Sequence, residues 1–178
     1  KKKNGIGILG GSFDPPHIAH LKISQISLKK IGLKKIFWIV TKKNPFKNKP
    51  YISLRKRVVK CKKLVKNYKN IEVLYLDDKL KSSRMINTIN FFVKIKKFKN
   101  LYLILGSDNL LKLHKWTSWK KIVKLSKLIV FSRRGYDKKS KESIVVKHLG
   151  KKNIIFVKNK PINISSTSIR KKYPNRLK

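Results

Sequence analysis

A chain of 178 residues with 40% hydrophobic side chains can bury a substantial core, and a single domain over residues 1–178 is expected. No apolar run approaches the roughly 18 to 20 residues of a membrane-spanning helix, the start Lys1-Lys2-Lys3-Asn4 leads into a strand pattern and not a signal region, and one cysteine, Cys61, excludes an internal disulfide and a cysteine-cluster metal site. A cytoplasmic protein without a membrane partner is expected. The formal net charge of +41 looks like a nucleic-acid footprint, but 41 Lys, 22 Ile and 13 Asn beside a single alanine form the bias of a coding sequence rich in A and T. The basic residues are also spread along the chain, so they read as solvated faces and a nucleic-acid partner is disfavoured.

Six apolar runs recur with helical patterns between them: Ile6 to Leu9, Ile36 to Val40, Ile71 to Leu76, Leu101 to Leu105, Leu128 to Phe131 and Ile154 to Val157. Several are nearly continuous and rich in Ile, Val or aromatic residues, as strands buried on both faces are. Helices are expected at about 18–31, 53–66, 84–97, 117–125, 138–148 and 166–172. This alternation predicts an α/β fold with a doubly wound parallel sheet, whose binding rim lies at the C-terminal ends of its strands. Lys42 to Pro50 and Arg134 to Ser143 read as mobile loops.

Gly5-Ile6-Gly7-Ile8-Leu9-Gly10 has the spacing G-x-G-x-x-G. Its first two glycines fall inside the first strand, however, and no acid occurs between Asp14 and Glu72, so it is not a dinucleotide fingerprint. The Walker and G-x-S-x-G patterns are absent as well, which excludes P-loop enzymes and serine hydrolases of that type.

The informative stretch is Gly10-Gly11-Ser12-Phe13-Asp14-Pro15-Pro16-His17-Ile18-Ala19-His20, the turn from the first strand into the first helix. Gly10 and Gly11 permit a tight turn with exposed N–H groups, and Ser12 adds a hydroxyl. The helix start favours an anion. His17 and His20, three residues apart, share a helix face there; capping or metal binding is the alternative, although Asp14 is the only nearby carboxylate. Near the C-terminus, Ser165 or Ser166 can cap a short helix, and Arg170 can reach phosphate with its fork of donors. Asp108 directly follows the fourth strand. It could accept ribose hydroxyls, hold a magnesium-bound water or cap the next helix. Trp116 could stack on a pyridine ring or pack in the core, as could Trp119.

The opening stretch resembles the G-[GS]-[ST]-F-D-P-x-H-x-G-H signature of the nucleotidyltransferase superfamily, and Ile164-Ser165-Ser166-Thr167-Ser168-Ile169-Arg170 resembles its I-S-S-T-x-I-R motif. Among its members the chain is most similar to the nicotinate-nucleotide adenylyltransferases of bacterial NAD synthesis. Asn44-Pro45-Phe46-Lys47, Gly106-Ser107-Asp108, His114-Lys115-Trp116 and Arg133-Arg134-Gly135-Tyr136 carry the likeness through the middle of the chain. The resemblance implies a Rossmann-like fold and adenylyl transfer from ATP to nicotinate mononucleotide with magnesium. It assigns His17 and His20 to the triphosphate, and Arg170, Ser165, Ser166 and Thr167 to the β- and γ-phosphates. Gly10, Gly11, Ser12 and Phe13 would make phosphate and backbone contacts, Lys47 would act as a phosphate clamp, and Gly106 and Asp108 would belong to the ATP side. Met85, Trp116 and Arg134 would line the pyridine nucleotide.

Three departures from the pattern stand out. Ala19 replaces the glycine between the histidines, Phe46 stands where histidine is frequent, and Ser83-Arg84-Met85-Ile86-Asn87-Thr88 replaces S-Y-T-x-D-T. The alternatives left open are another acceptor (nicotinamide mononucleotide or phosphopantetheine), a noncatalytic relative, and a basic nucleic-acid-binding module.

Overall fold

The computed structural model describes residues 4–43, 49–150, 153–159 and 164–172. Six strands, β1 (Gly5–Gly11), β2 (Leu33–Val40), β3 (Ile71–Leu74), β4 (Leu101–Gly106), β5 (Lys127–Phe131) and β6 (Ile154–Val157), form one sheet in the order β3-β2-β1-β4-β5-β6. Every pairing is parallel. The strand order therefore reverses between β1 and β4, and at such a reversal the two following connections leave on opposite faces and open a crevice.

Side-chain alternation divides the core between the two faces. Ile6 and Ile8 of β1, Phe37 and Ile39 of β2, Leu103 and Leu105 of β4, and Leu128 and Val130 of β5 point to one face. They meet α4 (Met85–Asn90), α5 (Ser107–Lys112), α6 (Trp119–Leu125) and α8 (Ile144–Leu149) through Ile89, Leu110, Ile122 and Val145. Leu9, Ile36, Trp38, Val40, Ile104 and Ile129 point to the other face, where α1 (Ile18–Lys30) and α2 (Leu54–Val65) add Leu21, Cys61 and Val65. A sheet covered on both sides explains why the strands read as continuous apolar runs. Among the described residues no helix is long and apolar enough to cross a membrane.

The expected strands are all present, and Gly5 and Gly7 lie within β1. The helices differ in detail. The pattern at 84–97 gives α4 followed by a π-helical turn, Phe91–Ile95. The pattern at 138–148 splits into α7 (Asp137–Lys141) and α8, because Ser143 adopts an extended conformation as the cap of α8. The supposed mobile loop at 134–143 thus contains a helical turn whose Ser140 is buried. The short helices α3 (Asp77–Leu80) and α5 have too few residues to show a period, and the sequence did not reveal them. The last helix, α9 (Ser166–Lys172), lies where expected.

Candidate active site

The turn from β1 into α1 is held by packing and by buried polar groups. Phe13 takes a left-handed conformation with φ of 48°, a cost that its buried ring offsets. That ring stacks on Trp38 at 5.1 Å and leans on His20 at 4.8 Å. Trp38 donates its indole N–H to Ser24 Oγ, and the Ser24 hydroxyl donates to the His20 carbonyl. Strand β2 therefore fixes the first turn of α1. The His17 and His20 rings lie 3.9 Å apart, and the His17 backbone N–H donates to His20 Nδ1 at 3.2 Å. His20 Nδ1 is thus an acceptor, and the proton of the neutral ring sits on Nε2. Burial, and secondarily the Arg133 cation, push the His17 pKa down to about 4. Its ring is neutral at pH 7.

Beneath this turn lies Arg57, only 1% exposed. Its Nε donates to the Ile52 carbonyl, Nη1 to the carbonyls of Ser12 and Thr41, and Nη2 to that of Lys42. One guanidinium therefore ties the β1–α1 turn to the segments before and after the β2–α2 loop. Two buried carboxylates complete the frame. Asp14 accepts from the backbone N–H groups of Tyr51 and Ile52 at 2.8 and 2.9 Å, and Asp77 accepts from the Thr41 hydroxyl and the Lys42 N–H at 2.9 and 2.7 Å.

Helix α9 closes onto the same turn from the other end of the chain. Ser165 caps it, accepting from the Ser168 N–H at 3.0 Å. Ser166 Oγ donates to the Pro15 carbonyl at 2.9 Å, and Arg170 Nη1 donates to the Asp14 carbonyl and lies 3.5 Å from Asp14 Oδ2. Arg170 also reaches Thr167 Oγ1 and sits over the exposed ring of Tyr51 at 5.8 Å.

These parts surround a central cleft of about 530 Å³ at the strand reversal. Gly10, Gly11, Ser12, Phe13, His17, His20, Met85, Gly106, Asp108, Trp116, Ser165, Ser166, Thr167 and Arg170 all line it. At two glycines an added Cβ would displace a side chain that lines the cleft. A Cβ on Gly106 would lie 2.5 Å from Asp108 Oδ1, and one on Gly10 would lie 2.4 Å from Met85 Cε. Asp108 lies 3.4 Å from Arg133 Nε, and its buried Oδ1 has no hydrogen bond.

Two smaller lobes extend the cleft in opposite directions. On the β5 side, a lobe of about 320 Å³ is lined by Ala19, Phe131, Ser132, Arg133, Arg134 and Tyr136. The turn after β5 is pinned there by Asp137, which accepts from Ser132 Oγ and the Arg133 N–H. On the β2 side, a lobe of about 190 Å³ is lined by Thr41, Lys43, Asp77, Arg84, Met85, Thr88, Asn109 and Trp116.

Residues 8–172 match the cytidylyltransferase-like family over most of the chain. The chain belongs to the cytidylyltransferase-like family. Within that family it is 43% identical over 171 residues to a probable nicotinate-nucleotide adenylyltransferase of Pelagibacter ubique, covering 96% of this chain and 94% of that one. A probable nicotinate-nucleotide adenylyltransferase of Endomicrobium trichonymphae is 32% identical over 167 residues, covering 93% and 84%. The fold is also that of the Plasmodium falciparum nicotinic acid mononucleotide adenylyltransferase, solved in complex with NaAD, at a TM-score of 0.73 and 19% identity, covering 94% of this chain and 83% of that one.

The two end motifs thus meet across one cleft. One expected grouping does not form. Arg134 follows β5, on the far side of β4 from Met85, and lines the β5-side lobe, whereas Met85 and Trp116 line the β2-side lobe. Lys47 and Phe46 lie outside the described residues. Trp116 and Trp119 both pack against the core, and Trp116 also faces the cleft. Sequence reasoning missed Arg57, Thr41, Asp77 and Asn109, and it named Arg133 only as part of a motif. For Asp77 a signal existed, since only 7 acids occur in the chain; for Arg57, one of many basic residues on an expected helix, none did.

Proposed function

We propose that this protein transfers the adenylyl group of ATP to nicotinate mononucleotide, releasing pyrophosphate and forming nicotinate adenine dinucleotide. The observation that carries the reading is the meeting of His17 and His20 with Ser165, Ser166, Thr167 and Arg170 in one cleft that has a lobe on either side.

In this reaction a phosphate oxygen of the mononucleotide attacks the α-phosphorus of ATP, and the bond from that phosphorus to the bridging oxygen breaks as pyrophosphate leaves. A phosphate monoester has its second pKa near about 6, so the nucleophile is ionised at pH 7 and needs no general base. Catalysis then rests on holding the two phosphates in line and stabilising the charge that moves onto the leaving group. His17, neutral at pH 7, and His20, protonated at Nε2, serve as hydrogen-bond donors to phosphoryl oxygens. Arg170 with Ser165, Ser166 and Thr167 holds the β- and γ-phosphates, and Lys47 is retained as a clamp. The β5-side lobe takes the adenosine and the β2-side lobe the pyridine ring, against Trp116.

Magnesium bound with ATP would supply positive charge that stabilises the leaving pyrophosphate. Among the described residues no group of three or more His, Cys, Asp or Glu side chains could hold a metal. Asp108, whose Oδ1 lacks a hydrogen bond and lies 3.4 Å from Arg133 Nε, is the cleft carboxylate that would help hold such an ion. We read the chain as one domain and as a cytoplasmic enzyme.

Pyrophosphate release with ATP and magnesium, comparing nicotinate mononucleotide, its amide and phosphopantetheine, tests the reading. Turnover should be fastest with the acid, and His20→Ala should lower it at least about tenfold, or about 1.4 kcal/mol of barrier. Absence of release with every acceptor would overturn the proposal.

A further inference from the structure

The β2-side lobe brings charged side chains beside apolar ones. Asp77, the one carboxylate lining it, is buried, and its Oδ2 already accepts from Thr41 and Lys42. Two cations line the same lobe, Lys43 and Arg84. Arg84 lies at the N-terminal edge of α4 in extended conformation, between Ser83 and Met85, both of which also line the lobe. Its backbone N–H donates to Ser82 Oγ. Its side chain is exposed at the edge of the lobe, and its guanidinium makes no hydrogen bond or ion pair to the protein among the described residues, which leaves its donors to solvent or a ligand.

The remaining lining suits a planar aromatic ligand. Ile39, Met85 and Trp116 give apolar surface, while Thr88 and Asn109 add neutral polar groups. An exposed guanidinium at the edge of a lobe lined by Trp116 and Met85 can take a planar anion, because its parallel N–H donors match the two oxygens of a carboxylate. From this geometry we infer that Arg84 is a specificity residue, pairing with the ring carboxylate of the acceptor and selecting the acid over the amide. The inference rests on the acceptor reading given above. It differs from a general attraction to anions, since the mononucleotide also carries a phosphate that acid and amide share. An amide offers one oxygen and no charge to Arg84, so the pairing would distinguish two acceptors that are otherwise the same size.

Steady-state kinetics on the full chain, with the acid and amide mononucleotides run side by side, test this. In Arg84→Gln the KM for nicotinate mononucleotide should rise at least about tenfold. The KM for the amide, the KM for ATP and the melting temperature should stay near their starting values. Arg84→Lys should recover part of the loss, and Lys43→Gln, which removes a charge from the same lobe, should not change the ratio of acid to amide. An equal loss for both acceptors in Arg84→Gln would place Arg84 on the phosphate and overturn the assignment. An unchanged KM for the acid would overturn it too, and so would selective loss in Lys43→Gln, which would mean that only the summed charge matters. If the unaltered protein releases no pyrophosphate with either mononucleotide, the acceptor reading falls, and this inference with it.

Discussion

Replacing Arg57 by methionine would test whether one buried cation holds the frame of the cleft. Methionine has similar length and fills the same space without donors, so the carbonyls of Ser12, Thr41, Lys42 and Ile52 lose four hydrogen bonds together. Burial itself opposes the charged form of Arg57 and lowers its pKa, while Asp14 and then Cys61, Asp77 and Tyr75 act in the opposite direction. The native arrangement therefore offsets a desolvation cost that the variant no longer carries. The carbonyls, however, are left without this partner, that of Ile52 in a buried position and those of Ser12, Thr41 and Lys42 in partly buried bonds. Breaking such a buried charged network typically costs about 3–5 kcal/mol. For a chain of this size, each kcal/mol shifts the melting temperature by about 2–4 °C, so a fall of about 6–20 °C is expected. Circular dichroism melts of the unaltered protein, Arg57→Met and Arg57→Lys measure it, with lysine intermediate because it retains charge but loses the fork. A change of less than about 2 °C in Arg57→Met would refute the claim that these hydrogen bonds tie the loops together.

Two further outcomes follow from the same geometry. His17 has a folded-state pKa of about 4 against an ordinary value of 6.5, so the unfolded chain takes up its proton first. The stability it contributes is present above about pH 6.5 and is lost as pH falls toward 4, by at most about 3 kcal/mol; urea titrations across that range should show the decline, and His17→Gln should flatten it. Gly106→Ala and Gly10→Ala should affect different substrates, because the added methyl meets Asp108 in one case and Met85 in the other. The first should raise the KM for ATP and the second the KM for the mononucleotide, each by about tenfold, and crossed effects would contradict the placement of the two substrates.

Much of the fold was legible because burial on both faces writes each strand as a continuous apolar run. Ile36 to Val40 shows this: Ile36, Trp38 and Val40 serve one face while Phe37 and Ile39 serve the other. Short elements such as α3 and α5 were not legible, since a helix of one or two turns has no period to display. At the site, the two end motifs were readable from residue type and spacing. Arg57 was not, because its role depends on carbonyl groups contributed by four different positions and a carbonyl leaves no trace in residue identity. That Arg134 lines a different lobe from Met85 was not legible for a related reason: their proximity depends on strand order, which the sequence pattern does not specify.

That strand order has an evolutionary side. Thr41, Lys43, Asp77, Arg84 and Thr88, which line the smaller lobe, come from the β2 and β3 half of the sheet, while Phe131, Ser132, Arg133, Arg134 and Tyr136, which line the larger, come from the β5 half. Substitutions in the two groups share few neighbours, so their energetic effects should be close to additive. Lineages can then exchange one half's ligand preference while inheriting the other half intact.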